Sequence, residues 1–350
     1  MSNLWRDPAW RVSQHAETIR AILHALLQND DEIDRWHAAN VANLLPVDPE
    51  TGFDFTRRHL LVEHHPHVAT VLLEQLATHR DRQPQAVDDV LAELIQRSPW
   101  CDIAATADDA DLLDPVGHLT GITLYLALRH QTSAASTLVR TWFSNPLDSP
   151  AAASAIGAIR DWLALPDERA AERSRAFALL QSVIHSLPNP HSPDVSDTQK
   201  LRSVYRMVEG ITSDLYFASG AHSVEEGESV EPIPGFATQA IELLKQLVKF
   251  KHPAIVHNIV RTLAHLSPVD PCRTFLVVSR AVKPGDAYTY DALAATVVID
   301  LIERYFAEFR HAVLAEPDLL SAIRSVLHAF VKAGWPAAVS LTYRLSEPFR

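Results

Sequence analysis

GFATQAIELLKQLVKFKHPAIVHNIVRTLAHL, residues 235–266, reads as two amphipathic helices with the punctuation between them. The first half puts Phe236, Ala240, Leu243, Leu244, Leu247 and Phe250 at the i, i+3/i+4, i+7 spacing of one helical face. Gln239, Glu242, Lys245, Gln246 and Lys249 fall opposite. Lys251-His252-Pro253 interrupts the pattern and sets proline in a first helical turn, where its missing N–H has no intrahelical bond to lose. Ile255, Val256, Ile259, Val260, Leu263 and Leu266 then line a second stripe. Helices joined by so short a link lie side by side and nearly antiparallel.

The same grammar continues to the end of the chain. Asp270-Pro271 predicts an N-cap and a first-turn proline, opening a helix through Phe275, Leu276, Val278 and Val282 that Lys283-Pro284-Gly285 stops. Asp286 or Thr289 is expected to cap the longest helix, roughly 290–310. Its apolar residues form two adjacent rows (Leu293/Val297/Leu301/Tyr305/Phe309 and Ala294/Val298/Ile302/Phe306), a face wide enough for more than one neighbour, with Asp300, Arg304 and Glu308 on the outer side. Pro317 opens a helix to Ala333, Gly334 supplies a left-handed terminus, and Trp335-Pro336 starts the last helix.

The front of the chain repeats these habits more loosely. Ile19, Ile22, Leu23, Leu26 and Leu27 outline a helix ending at Asn29-Asp30-Asp31, and Ile33, Trp36, His37, Val41 and Leu44 outline its partner. Residues 46–54 read as a connection, followed by helices at 55–63, 68–77, 86–96, 116–129, 134–143, 149–166 and 169–187. Two interruptions, 188–197 with its prolines and 218–234 with its glutamates, bracket one helix at 201–217. Helix pairs therefore recur every 35 to 45 residues or so, the HEAT/armadillo interval. The expected fold is all-α, a HEAT/armadillo-like α-solenoid of antiparallel helix pairs: an N-terminal helical-repeat region at 1–187, a loop-rich seam with one helix at 188–234, and a C-terminal helical-repeat region at 235–350.

Composition agrees. Only 10 glycines and no long β-branched alternation favour helix over strand, and the 22 prolines have to sit at helix starts and links. A net charge of −12 argues against general phosphate binding. Two distant cysteines, Cys101 and Cys272, exclude a CxxC metal motif and a disulfide framework, which fits a reducing cytoplasm. Neither a signal peptide nor a membrane span is expected from the apolar runs.

Phe250-Lys-His-Pro, Ser267-Pro-Val-Asp-Pro, Tyr288-Thr-Tyr-Asp-Ala-Leu-Ala-Ala, Leu301-Ile-Glu-Arg-Tyr and Ala333-Gly-Trp-Pro occur in this order. In this the C-terminal third resembles the closing helical region of large bacterial proteins with an upstream NTPase module, similar to NACHT or STAND-type ATPases of antiviral defence. The resemblance implies a sensor or scaffold arm that recognises a protein partner, an NTPase or effector among the candidates. ATPase activity does not carry over, because the chain has no GxxxxGK[ST] loop.

Candidate chemistry is sparse, and no spacing identifies a reaction or a cofactor. His59, Glu63, His64, His65 and His67, with His37 upstream, form the densest set of donors; His59 and Glu63 are i, i+4 and suit two ligands on one helical face. The set is not HExxH, Pro66 breaks its geometry, and the plainer reading is a solvated helix end. Cys101 lacks a partner histidine, and no GxSxG elbow exists. Lys245, Lys249 and Arg261, with Lys251, His252 and His257, form a basic strip suited to an acidic partner or to nucleic acid, and Arg169, Arg173, Arg175, Arg202 and Arg206 form another. Trp335 is either a binding anchor or a packed corner. The leading expectation is a non-enzymatic interaction scaffold; the alternatives are a metal enzyme on the His59–His67 cluster and nucleic-acid binding along 245–261.

Overall fold

The computed structural model describes residues 16–42, 49–97, 115–190, 198–282 and 287–346. Cys101 and the acidic run 102–114 lie outside them. Among the described residues there is no β-strand, and the fold is all-α. None of their helices is long and apolar enough to cross a membrane. The chain forms two compact units, Met1–Trp142 with Pro150–Ala158, and Phe143–Ser149 with Ile159–Arg350.

The first unit holds α1 (Ala16–Leu26), α2 (Glu32–Ala42), α3 (Pro49–Leu60), α4 (Pro66–Thr78), α5 (Pro84–Arg97), α6 (Pro115–Tyr125) and most of α7 (Ser133–Ser144). α6 runs on through a π-helical turn, Leu126–His130, and ends on Gln131 in the left-handed region at φ 55°. α1 packs on α2, α3 on α4 and α5 on α6, while α2 also packs on α4 and α4 on α6. The second member of each pair thus stacks on the second member of the next, consistent with a stack of helix pairs. α4 occupies the centre, and Val68, Ala69, Thr70, Val71, Leu72 and Leu73 are all buried in sequence, as expected of a helix with neighbours on every side. Its Gln75 ties the stack together: Nε2 donates to Ala39 O of α2 at 2.6 Å, and Oε1 accepts from Thr56 Oγ1 of α3 at 3.2 Å.

The boundary falls within α8 (Pro150–Leu163). The second unit continues with α9 (Ala170–Ser186), α10 (Thr198–Ala218), α11 (Ala221–Glu225), α12 (Pro234–Leu247), α13 (Pro253–Leu266), α14 (Pro271–Ala281), α15 (Ala292–Glu308), α16 (Arg310–Ala315), α17 (Pro317–Lys332) and α18 (Pro336–Ser346). Two rows emerge from the contacts, α9–α12–α14–α17 and α10–α13–α15–α18. α13 and α14 join the rows most extensively. The interruptions at 188–234 therefore fall inside this unit, because the helix between them, α10, packs along α13.

Proline punctuation is the dependable signal. α4, α12, α13, α14 and α17 each carry proline at their first positions, and Asp270 caps α14 by accepting from Arg273 N–H at 2.9 Å. Other expectations need correcting. The 46–54 connection contains the start of α3, since Pro49 serves as another helix-opening proline. The cap of α15 is Asp291, accepting from Leu293 and Ala294 N–H at 2.8 and 3.1 Å, not Asp286 or Thr289. α10, with 21 residues, is longer than α15, with 17. Leu293 is exposed, whereas Arg304 turns inward to Ala264 O and Ser267 Oγ at the end of α13. Trp335 is a corner whose indole Nε1 donates to Thr289 O at 2.8 Å, beside Gly334 at φ 90°.

Candidate functional site

α2 is turned differently from its apolar pattern. Ala38, Ala39 and Ala42 are buried, letting the backbone of α2 approach α4 closely, while Ile33 and Trp36 on the other face are 61% and 36% exposed. Two polar contacts fix this orientation. Arg35 donates from Nε to Glu63 Oε2 at 3.1 Å and from Nη1 to the Asn29 and Asp30 carbonyls, both at 2.9 Å. His65 Nε2 meets Glu32 Oε2 at 2.9 Å. Between the first turns of α2 and the start of α4 lies a pocket of about 260 Å³ lined by Glu32, Ile33, Trp36, His37, His65 and His67. Its rings meet edge to face: Trp36 with His37 at 4.9 Å between centroids, and His65 with His67 at 5.1 Å.

The His59–His67 donors do not converge as one set: His65 and His67 share the pocket with His37, whereas His59, Glu63 and His64 are not part of its lining. Glu63 is buried; besides Arg35 it accepts the backbone N–H groups of His64 and His65 at 2.9 and 2.8 Å, so it holds the turn that leads into α4. His64 and His67 are exposed. His59 is 3% exposed, packed against Phe55, with Nε2 at 2.7 Å from His24 Nδ1. The solvated helix end is thus corrected for His59 and Glu63: both are buried because each has a partner. Among the described residues no group of three or more His, Cys, Asp or Glu side chains is placed to hold a metal ion.

The His24–His59 contact is a hydrogen bond only while one of the facing nitrogens is bare. Burial, with His24 and then Arg58 beside it, pushes the His59 pKa down from 6.5 to about 4, against the opposing pull of Glu63. A depressed histidine pKa means that the unfolded chain takes the proton first. Its contribution is therefore intact above pH 6.5 and is lost as pH falls toward 4, by about 2 kcal/mol once solvent access is discounted. Urea unfolding of the first unit across that window should show this slope, and His59→Leu should flatten it. An unchanged slope in the variant would assign the acid sensitivity to other groups.

The basic strip is also dispersed. Lys245 pairs with Glu242 at 3.5 Å, Lys249 lies 5.2 Å from the Phe250 ring centroid, and Lys251 Nζ donates to the Arg280 and Ala281 carbonyls at the end of α14. Arg261 binds Glu225 and donates from Nε to His257 Nε2 at 3.1 Å. Burial and a hydrogen bond to the same Glu225 push the neighbouring Tyr216 up to about 12. Arg261 is the hub of an internal network. In the other strip Arg173 is 1% exposed, a structural residue.

No protein-family model matches the chain, and a search of curated proteins returns no match. Of the pocket's lining, the sequence brings forward His65, His67 and His37; it assigns Ile33 and Trp36 to the core and leaves Glu32 aside. The missed signal is the alternative stripe Arg35, Ala38, Ala39, Ala42, whose alanines suit close helix packing.

Proposed function

We propose that the chain is a non-enzymatic protein-interaction scaffold, and that the α2/α4 pocket is a partner-binding face. The observation that carries this reading is the pairing of an exposed aliphatic and an exposed indole side chain, Ile33 and Trp36, at the rim of a concavity. Scattered exposed apolar residues need no explanation, but an aromatic and an aliphatic residue flanking one hollow match the anchor sites of interfaces. At about 260 Å³ the pocket is smaller than the roughly 300–1,000 Å³ typical of small-molecule sites and suits one side chain. Stacked helix pairs offer extended surfaces for such contacts. The likeness of residues 250–336 to the closing regions of NACHT or STAND-type proteins makes an NTPase or effector of a bacterial defence assembly the first partner to seek.

The test is co-purification of the full chain with proteins of its native host. A stoichiometric partner should be recovered, and Ile33→Ser with Trp36→Ala should weaken its retention by at least about tenfold, the loss of one good anchor, without changing the melting temperature. Retention unaffected by the double substitution would count against this face.

A further inference from the structure

The chemistry of the pocket selects among partner side chains, and we infer that it receives an arginine side chain presented by a partner protein. The inference rests on the partner-binding reading above and goes beyond it by naming the group recognised.

Consider what the lining offers. Trp36 presents an indole that is 36% exposed, and an indole face attracts a cation more strongly than any other side-chain ring. Glu32 spends Oε2 on His65 at 2.9 Å, while its Oε1 has no hydrogen bond to any described residue, and its side chain is 57% exposed. An electron-rich ring beside a carboxylate with acceptor capacity to spare fits a donor that is both planar and positive. A guanidinium meets both conditions: it stacks on rings and donates in a fork to carboxylates, whereas an ammonium is a compact, strongly hydrated charge. Ile33 covers the aliphatic stem that such a side chain buries behind its head.

Charge around the site points the same way. Asp30, Asp31, Glu32 and Asp34 are all exposed in the five residues, 30–34, that lead into α2 and form its first positions. Arg35, the residue that follows them, is balanced by Glu63. The positive end of the α2 dipole, about half a charge, is outweighed by four carboxylates. Asp34 and Asp31 are oriented internally, by Asn29 Nδ2 at 2.8 Å and by the Ile33 N–H at 2.8 Å, so they contribute field and leave contact to Glu32. An anionic partner residue would meet that field as repulsion.

The probe is N-acetylarginine N-methylamide, with the citrulline analogue as its uncharged isostere, titrated to about 10 mM into the isotopically labelled full chain. The Trp36 indole and His67 ring signals should shift saturably with the arginine probe and far less with citrulline. Affinity should fall about tenfold in Glu32→Gln and stay unchanged in Glu228→Gln, a control that lines no part of the pocket, which separates a local contact from attraction to the overall negative charge. Trp36→Phe, which keeps a ring, should retain part of the affinity, and circular dichroism verifies that each variant is folded. Equal response to citrulline, equal response to the lysine analogue, or no saturable shift overturns the assignment. A host partner held through Ile33 and Trp36 without any arginine response sinks the arginine inference alone; loss of both sinks the interaction face as well.

Discussion

Asp88→Ala is expected to destabilise the first unit by about 3–5 kcal/mol, the cost of leaving buried donors without their charged acceptor. Asp88 is fully buried on α5, yet its carboxylate leaves that helix and closes the start of α7. Oδ1 accepts from Thr132 Oγ1 at 2.8 Å and from Ala135 N–H at 2.7 Å, and Oδ2 accepts from Ala134 N–H at 2.9 Å. The first turn of a helix has N–H groups with no intrahelical acceptor, so a carboxylate there satisfies them and meets the positive end of the dipole. The chain arrives at that turn from Gln131 in the left-handed region, a conformation held by what surrounds it. Thr132→Val removes only the hydroxyl donor and should cost about 1 kcal/mol. Urea midpoints of the two variants separate the cases. Equal, small shifts would mean that α7 closes its first turn without Asp88.

That cap also shows how far the sequence can be read. The helices opened by Pro253, Pro271 and Pro317 were legible because proline acts locally, through its fixed φ and missing N–H, although Pro49 reads from sequence as part of a connection. Apolar stripes on α12 and α13 were legible because both are long, have one wet face and bury what the spacing predicts, from Phe236 to Leu266. Asp88 was not, since Val87-Asp88-Asp89-Val90 gives two adjacent carboxylates and no local reason to bury the first. Only the arrival of α7, more than forty residues later, supplies it. The candidate pocket failed to show for the converse reason. Ile33 and Trp36 look like core residues, and only the closeness of α4 decides that the alanines of α2 face inward instead.

Charged side chains across both units share one habit. Arg35 binds the Asn29 and Asp30 carbonyls, Lys251 the Arg280 and Ala281 carbonyls, and Arg304 the Ala264 carbonyl. All of these acceptors lie at or near helix ends, where carbonyls lack intrahelical partners. Lys251 and Arg304, which a strip of sequence assigns to a phosphate backbone or to solvent, are occupied in joining neighbouring helices, while Arg35 closes the link that leads into its own helix. The net charge of −12 is accordingly felt where exposed carboxylates outnumber such cations, and the start of α2 is one such place.

Gly235→Ala should be strongly destabilising, although alanine in a helix is ordinarily about 1 kcal/mol better than glycine. Gly235 lies in the first turn of α12 and rests on a buried guanidinium: an added Cβ would overlap Arg173 Nη2 and come within 2.6 Å of Asp167 Oδ1. The guanidinium has no room to withdraw, whereas Asp167, with its side chain 53% exposed, can turn toward solvent. Arg173 is 1% exposed, its Nη1 donates to Leu165 O at 2.7 Å, and its Nη2 pairs with Asp167. Beside them Phe177 and Phe236 pack edge to face at 5.5 Å and pin α12 to α9. Moving the guanidinium would cost its hydrogen bond to Leu165 O and its pairing with a half-exposed Asp167, so a loss of about 2–3 kcal/mol is expected. Arg173→Met alone should cost a similar amount, chiefly through the Leu165 carbonyl left without its donor, since water can solvate Asp167. Combined, the two substitutions should cost less than their sum by at least about 1 kcal/mol, because the methionine no longer fills the space the new methyl requires. Strict additivity in that double-mutant cycle, or a stabilised Gly235→Ala, would show that α12 does not rest on Arg173.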